Sequence, residues 1–243
     1  MKTRKKHWNR REVLSLGGKA SAILFINPLF PFIGNYLVNV DHVIWAVRDL
    51  KKGIDYIEKK TGVRAVIGGV HPGRGTRNAL ISLGKYSYLE IISTDPEQPN
   101  VRDQFADLIR NLNKPRIIGW AARTQDIVAT ERSINSSKIE MIGPVPGSRK
   151  KPNGAMLSWK TINLIGHDNT IVPFIIEWGR KSIHPSKDSP KGASLLKLQL
   201  GHPSPSEINP YLEAMGLSIR AVKNRKPKIT ATIQSSRGKV LLS

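Results

Sequence analysis

The sequence predicts an α+β protein assembled from repeated β-α-β-β-β units. Two observations carry this. Between Val40 and Asp95 the hydrophobic pattern alternates, changes to helical spacing, then alternates again through three further runs. Between Arg116 and Trp178 the same order of patterns returns, which marks an internal repeat. A chain of 243 residues is long enough for one large domain or two small modules sharing a substantial core.

In the first unit Val40–Val47 reads as a strand. Leu50–Lys60 reads as an amphipathic helix that stops before Gly62, where a left-handed residue is wanted. Arg64–Ile67, Asn78–Leu83 and Tyr86–Ser93 are three further strands, and the stretch His71–Asn78 joins two of them. Pro96–Asn100 is a linker, and Val101–Leu112 a helix broken by Asn113-Lys114-Pro115. The second unit has a strand at Ile117–Arg123, a helix at Asp126–Asn135 and a short strand at Ile139–Ile142. A Pro/Gly loop at Gly143–Gly154 and strands at Ala155–Leu164 and Ile171–Trp178 complete it. The tail from Ser194 shows the β-α-β-β-β order once more, so a third, shortened module is expected there. The expected division is residues 36–180 for the paired modules (38–95 and 115–180) and 192–243 for a C-terminal extension of the same domain.

Residues 1–33 read as a targeting segment. A basic start leads into an apolar run, and Asn9-Arg10-Arg11-Glu12-Val13-Leu14 resembles a twin-arginine export motif. The expectation is export to an extracytoplasmic or periplasmic compartment, with a cytoplasmic location if the segment is only a basic tail. Contact with membrane is expected through this segment alone.

The net charge of +21 and pI near 10.4 raise nucleic acid as a partner. The positive residues are scattered, however, apart from the N-terminal run and Arg149–Lys151. There is no basic helical stripe and no RNA-binding aromatic motif. No specific nucleic acid is expected; an anionic small molecule accounts for the charge as well, and a homodimer is the expected assembly. The absence of cysteine excludes disulfides, thiolate zinc sites and cysteine nucleophiles. Any metal must therefore be held by His, Asp or Glu.

Two polar residues interrupt the apolar strands of the first unit: His42, on the face of Ile44 and Ala46, and Glu90, on the face of Tyr88 and Ile92. Each costs burial energy unless something satisfies it. A hydrogen-bonded core histidine is the plain alternative for His42, and an exposed edge position for Glu90. The segments DHVIWAVRDL, HPGRGTRNALISLG and YLEII resemble the vicinal oxygen chelate superfamily, and more closely its glyoxalase-like branch. The resemblance implies paired modules closing a cupped mixed sheet, the glyoxalase/bleomycin-resistance/dioxygenase-like fold, around a divalent metal. The ligands would come from the first and last strands of each module. His42 and Glu90 stand at both positions of the first module, and aligning PFIIEWG with YSYLEII adds Glu177. In the second module Gly119 or Ile117 falls opposite His42, so the fourth ligand of glyoxalase I is missing.

A His with two carboxylates suits Fe, Mn, Zn or Ni with open positions. The implied function is a divalent-metal-dependent lyase, isomerase or dioxygenase acting on a small, oxygen-rich, anionic molecule. The contrasting expectation is a metal-free module of the same fold that sequesters a small molecule. The loop residues His71, Arg74, Arg77 and Asn78 exceed what a turn needs and are candidates for substrate binding, together with Arg123 at the end of its strand. His202 reads as a strand-end turn residue, and His7, His167 and His184 as loop or tail residues without a specific role.

Overall fold

The computed structural model describes residues 40–167 and 171–243. The expected targeting segment lies outside the described residues. Among those described, no helix is long and apolar enough to cross a membrane.

The first module comprises β1 (Val40–Ala46), α1 (Leu50–Thr61), β2 (Val66–His71), β3 (Thr76–Ser82) and β4 (Tyr88–Thr94). Helix α1 forms where expected. Asp49 accepts the Lys52 N–H at its start, and Gly62 ends it at φ 78°, a conformation that favours glycine. After α2 (Gln104–Arg110) the second module follows as β5 (Arg116–Arg123), α3 (Ile127–Ser136), β6 (Met141–Lys150), β7 (Met156–Leu164) and β8 (Phe174–Trp178).

All eight strands form one sheet in the order β2-β3-β4-β1-β5-β8-β7-β6. In each module the last strand returns to lie parallel to the first, and β1 and β5 join the modules antiparallel. The edge strands β2 and β6 meet, because the Arg149 guanidinium donates to the Gly68 carbonyl. The sheet therefore curls into a cup.

Strand alternation divides the side chains between two cores. On the outer face Val43, Trp45, Ala79, Ile81, Leu89 and Ile91 pack with Leu50, Ile54 and Ile57 of α1. On the inner face Ile44, Ala46, Ile92 and Ile118 pack with Ile109 and Leu112, so α2 fills one end of the cup. Each such aliphatic side chain contributes about 2 kcal/mol by leaving water.

The stretch Gly143–Lys150, expected as loop, belongs to strand β6. As the edge strand of the sheet it tolerates Pro144 and Pro146, and its pairing with β7 shifts register between Ile142 and Val145, which absorbs Gly143-Pro144. Strand β2 likewise runs on through Gly68 and Gly69 to His71. The tail contains α4 (Pro185–Asp188), β9 (Ala193–His202), α5 (Pro205–Ala214), β10 (Ala221–Lys223), β11 (Lys228–Ser235) and β12 (Gly238–Leu242). Its element order is that of a module but its pairing is not. The sheet runs β10-β9-β11-β12, with β9 between its second and third strands rather than beside the last. Ile229, Ala231 and Ile233 of this sheet join the outer core.

Candidate functional site

His42 and Glu90 meet inside the cup. His42 lies level with Tyr88 in the β1–β4 ladder, so Glu90 stands one inner-face position further on. The His42 Nε2 is 3.6 Å from Glu90 Oε2. That is too long for a hydrogen bond and short enough for a strong charge interaction. Its ring stacks on Tyr88 at 4.6 Å between centroids and meets the edge of Phe174 at 5.5 Å.

Asp41 fixes the orientation of that imidazole. A register shift between β1 and β5 at Val40/His42 lets the carboxylate of residue 41 reach the ring of residue 42. Asp41 is 0% exposed, and Oδ1 lies 2.7 Å from His42 Nδ1. Oδ2 accepts the Trp178 indole N–H at 2.9 Å and lies 3.0 Å from His184 Nε2. Burial pushes the Asp41 carboxyl upward, but hydrogen bonds from His184 and His42, reinforced by their charge, outweigh it and hold the pKa at about 2. An ionised Asp41 can only accept, so the proton of neutral His42 sits on Nδ1 and Nε2 is left as a base. The other histidine is fully committed. His184 donates from Nε2 to Asp41 and accepts the Ser186 backbone N–H on Nδ1 at 3.2 Å.

Around Glu90 the remaining partners come from the β2–β3 hairpin. The Asn78 amide donates to Glu90 Oε1 at 2.6 Å, and His71 Nε2 stands 3.6 Å from the same oxygen. His71 Nδ1 bonds Thr76 Oγ1 at 2.8 Å. Burial lowers the His71 pKa, aided against Glu90 by the charges of Arg149, Arg74 and His42. Burial works to raise Glu90, but His71 and His42, the Asn78 bond and Arg149 leave it below its ordinary value, hence ionised. The Tyr88 hydroxyl is pushed well up by burial and by the Asp41 and Glu90 charges, and stays protonated.

Arg149 enters from the far side, on the inner face of β6. It is 6% exposed, and among the described residues its one hydrogen bond goes to the Gly68 carbonyl, with no carboxylate in ion-pair contact. The Asn78 Oδ1 is a buried acceptor with no partner among the described residues. Gly68 is required beside it, because a Cβ there would overlap that oxygen. The cup thus holds unused N–H donors, an unused acceptor and an oriented base.

The structure brings His42, Glu90, His71 and Asn78 together and leaves Glu177 out. In β8 the residues facing the cup are Phe174, Ile176 and Trp178, so Glu177 points to the outer face. There Oε1 accepts the Ile127 N–H at the start of α3, at 3.2 Å. The second module's counterpart of the His42–Tyr88 pairing is Ala121–Phe174. The repeat alignment that matched Glu177 to Glu90 is therefore one residue out, which on a strand reverses the side chain. Among the described residues no set of three His, Asp or Glu side chains is arranged to hold a metal ion. The expected His42, Glu90 and Glu177 set does not fit a metal.

Arg74 is exposed at the hairpin turn, close enough to affect His71. Arg77 adjoins Asn78 in β3 and so faces away from the cup, on the side of Ala79 and Ile81. Arg123 lies over the Tyr86 ring, 4.2 Å from its centroid. Sequence reasoning missed Asp41, Arg149, His184 and Trp178. Asp41 could have been found as a second polar residue in an apolar strand. His184, expected to be an inert loop residue, is buried at the start of α4. His202 does end its strand, accepting the Ser204 N–H.

The glyoxalase-like domain model matches residues 40–216. No sequence among the curated proteins matches the chain. Among solved structures, a hypothetical protein from Staphylococcus aureus superposes with a TM-score of 0.62 at 16% identity, over 84% of this chain and 98% of that one. Methylmalonyl-CoA epimerase from Mycobacterium tuberculosis gives 0.42 at 20% identity, over 58% and 86%. A variant of the Streptomyces coelicolor epimerase, solved with 2-nitronate-propionyl-CoA, gives 0.40 at 17%, over 57% and 95%. With two modules paired across β1 and β5, a cup open to a polar centre and a family match spanning both modules, the chain belongs to the glyoxalase-like domain family of the vicinal oxygen chelate superfamily.

Proposed function

We propose that the cup is an acid–base site for a small, oxygen-rich anion, acting as an isomerase or lyase. The observation that carries this is the buried Arg149 guanidinium in the same cup as the oriented His42 base. Among the described residues it has one hydrogen bond and no ion pair. A buried cation is costly without a counter-charge, and an anionic ligand supplies one. Neutral His42 takes a proton at Nε2 from a carbon next to a carbonyl. The electron pair moves to the carbonyl oxygen, and the enolate charge faces Arg149. Glu90, ionised and 3.6 Å from Nε2, stabilises the imidazolium until the proton is returned. Asn78 Oδ1 is placed to accept a ligand hydroxyl.

The divalent-metal-dependent lyase, isomerase or dioxygenase implied by the family resemblance would need three ligands gathered on one ion. His42, Glu90 and His71 share the cup, but no three His, Asp or Glu side chains among the described residues are arranged to hold one. The acid–base reading needs none. The test is proton NMR of a panel of 2-oxo and 2-hydroxy carboxylates in deuterated water, with chelator and then with Mn, Zn or Ni. One member should exchange its C–H in the presence of chelator, and His42→Gln or Glu90→Gln should slow this by about a hundredfold or more. Exchange that requires the metal would restore the metal-dependent reading. Anion binding without exchange under any condition would leave a sequestering module.

A further inference from the structure

We infer that the molecule held in the cup is an anion carried on a flat, unsaturated carbon body, its charge on Arg149 and its flat face against Trp159 and Trp178. This rests on the acid–base reading for the position of the reacting atoms. The register places the anchor and the wall side by side. Gly147 and Arg149 are consecutive inner-face positions of β6; Trp159 lies opposite Gly147, and Trp178 opposite Trp159. At Gly147 a side chain would overlap the Trp159 indole, so the glycine leaves the ring room to lie across the strand. Trp178 is fixed by its N–H bond to Asp41 and meets Trp159 edge to face, with centroids 5.6 Å apart at 62°.

Phe174 continues this surface to the His42 ring. Trp159, Trp178 and Phe174 are all only half-buried. Aromatic walls of this kind present rigid faces to a flat guest at little entropic cost, whereas a puckered saturated guest of equal size meets them poorly. The polar half of the cup (His42, Glu90, His71 and Asn78) begins where this wall ends, at the His42 ring against Phe174. The guest is therefore polar at one end and flat and apolar at the other.

The test uses three probes: 2-naphthoate, its saturated counterpart decahydronaphthalene-2-carboxylate, and the neutral 2-naphthamide. Each is titrated by calorimetry into the full chain. Naphthoate should bind about fivefold tighter than either of the others. Trp159→Leu should erase the preference for the flat carboxylate over the saturated one, and Trp159→Phe should keep it. Arg149→Gln should erase the preference over the amide; Arg149→Met, also uncharged, serves in its place if the glutamine variant melts early. Equal affinity for flat and saturated carboxylates, a preference that survives Trp159→Leu, or no carboxylate binding by the folded wild type would overturn the inference. Failure of the acid–base reading looks different: carbon-bound hydrogen would not exchange while naphthoate still bound preferentially.

Discussion

Replacing Asp41 with Asn removes one charge from the centre of the cup and leaves the shape unchanged. Three N–H donors converge on two carboxylate oxygens: His42 Nδ1, His184 Nε2 and the Trp178 indole. An amide offers one oxygen. If that oxygen stays with His184 and Trp178, the amide nitrogen faces His42 Nδ1, and the imidazole avoids a clash of donors only by moving its proton to Nε2. The base then points the wrong way.

The charge contribution follows from linkage. The Asp41 pKa falls from 3.8 to about 2 on folding. A shift of nearly two units corresponds to about 2.5 kcal/mol. Because the folded value is the lower one, this stability is present in full above pH 3.8 and is lost as pH falls toward 2. Asp41→Asn should therefore cost about 2–4 kcal/mol in urea unfolding at pH 6, including a poorly satisfied buried donor, with the gap closing below pH 4. Two-bond nitrogen–proton NMR spectra should show the His42 proton on Nδ1 in the wild type and on Nε2 in the variant. A stability gap independent of pH, or an unchanged tautomer, would refute the reasoning.

Glu177→Gln should cost no more than about 1 kcal/mol, the loss of a charged acceptor at the start of α3, and should leave anion binding as it was; thermal melts and naphthoate titration check both. Arg74→Ala should weaken anion binding several-fold, whereas Arg77→Ala, on the outer face, should not, and calorimetry of the pair separates the two faces of the hairpin. Export is a separate proposal. Replacing Arg10 and Arg11 together with Lys should retain the protein in the cytoplasm on fractionation, since a twin-arginine receptor reads guanidinium pairs; equal distribution of variant and wild type would end that reading.

The elements and their repeat were legible in the chain before any folding was known. Alternation and helical spacing are local, so β1, α1, β4, β5, α3 and β8 lie close to where the pattern puts them. That His42 and Glu90 both turn to the apolar inner face was legible too, because side-chain parity within a strand needs no knowledge of the partner strand. Where such knowledge was needed, the folded chain had to supply it. The inward direction of Glu177 depended on a repeat alignment that could slip, and a slip of one residue sends a strand side chain to the opposite face. The bulge that admits Asp41 to the cup arises from the register of β1 on β5. Arg149 becomes a site residue because the curled sheet brings β6 back to β2, joining residues 81 positions apart in the chain. No local pattern encodes that contact, since its partner is a backbone carbonyl and carries no residue identity.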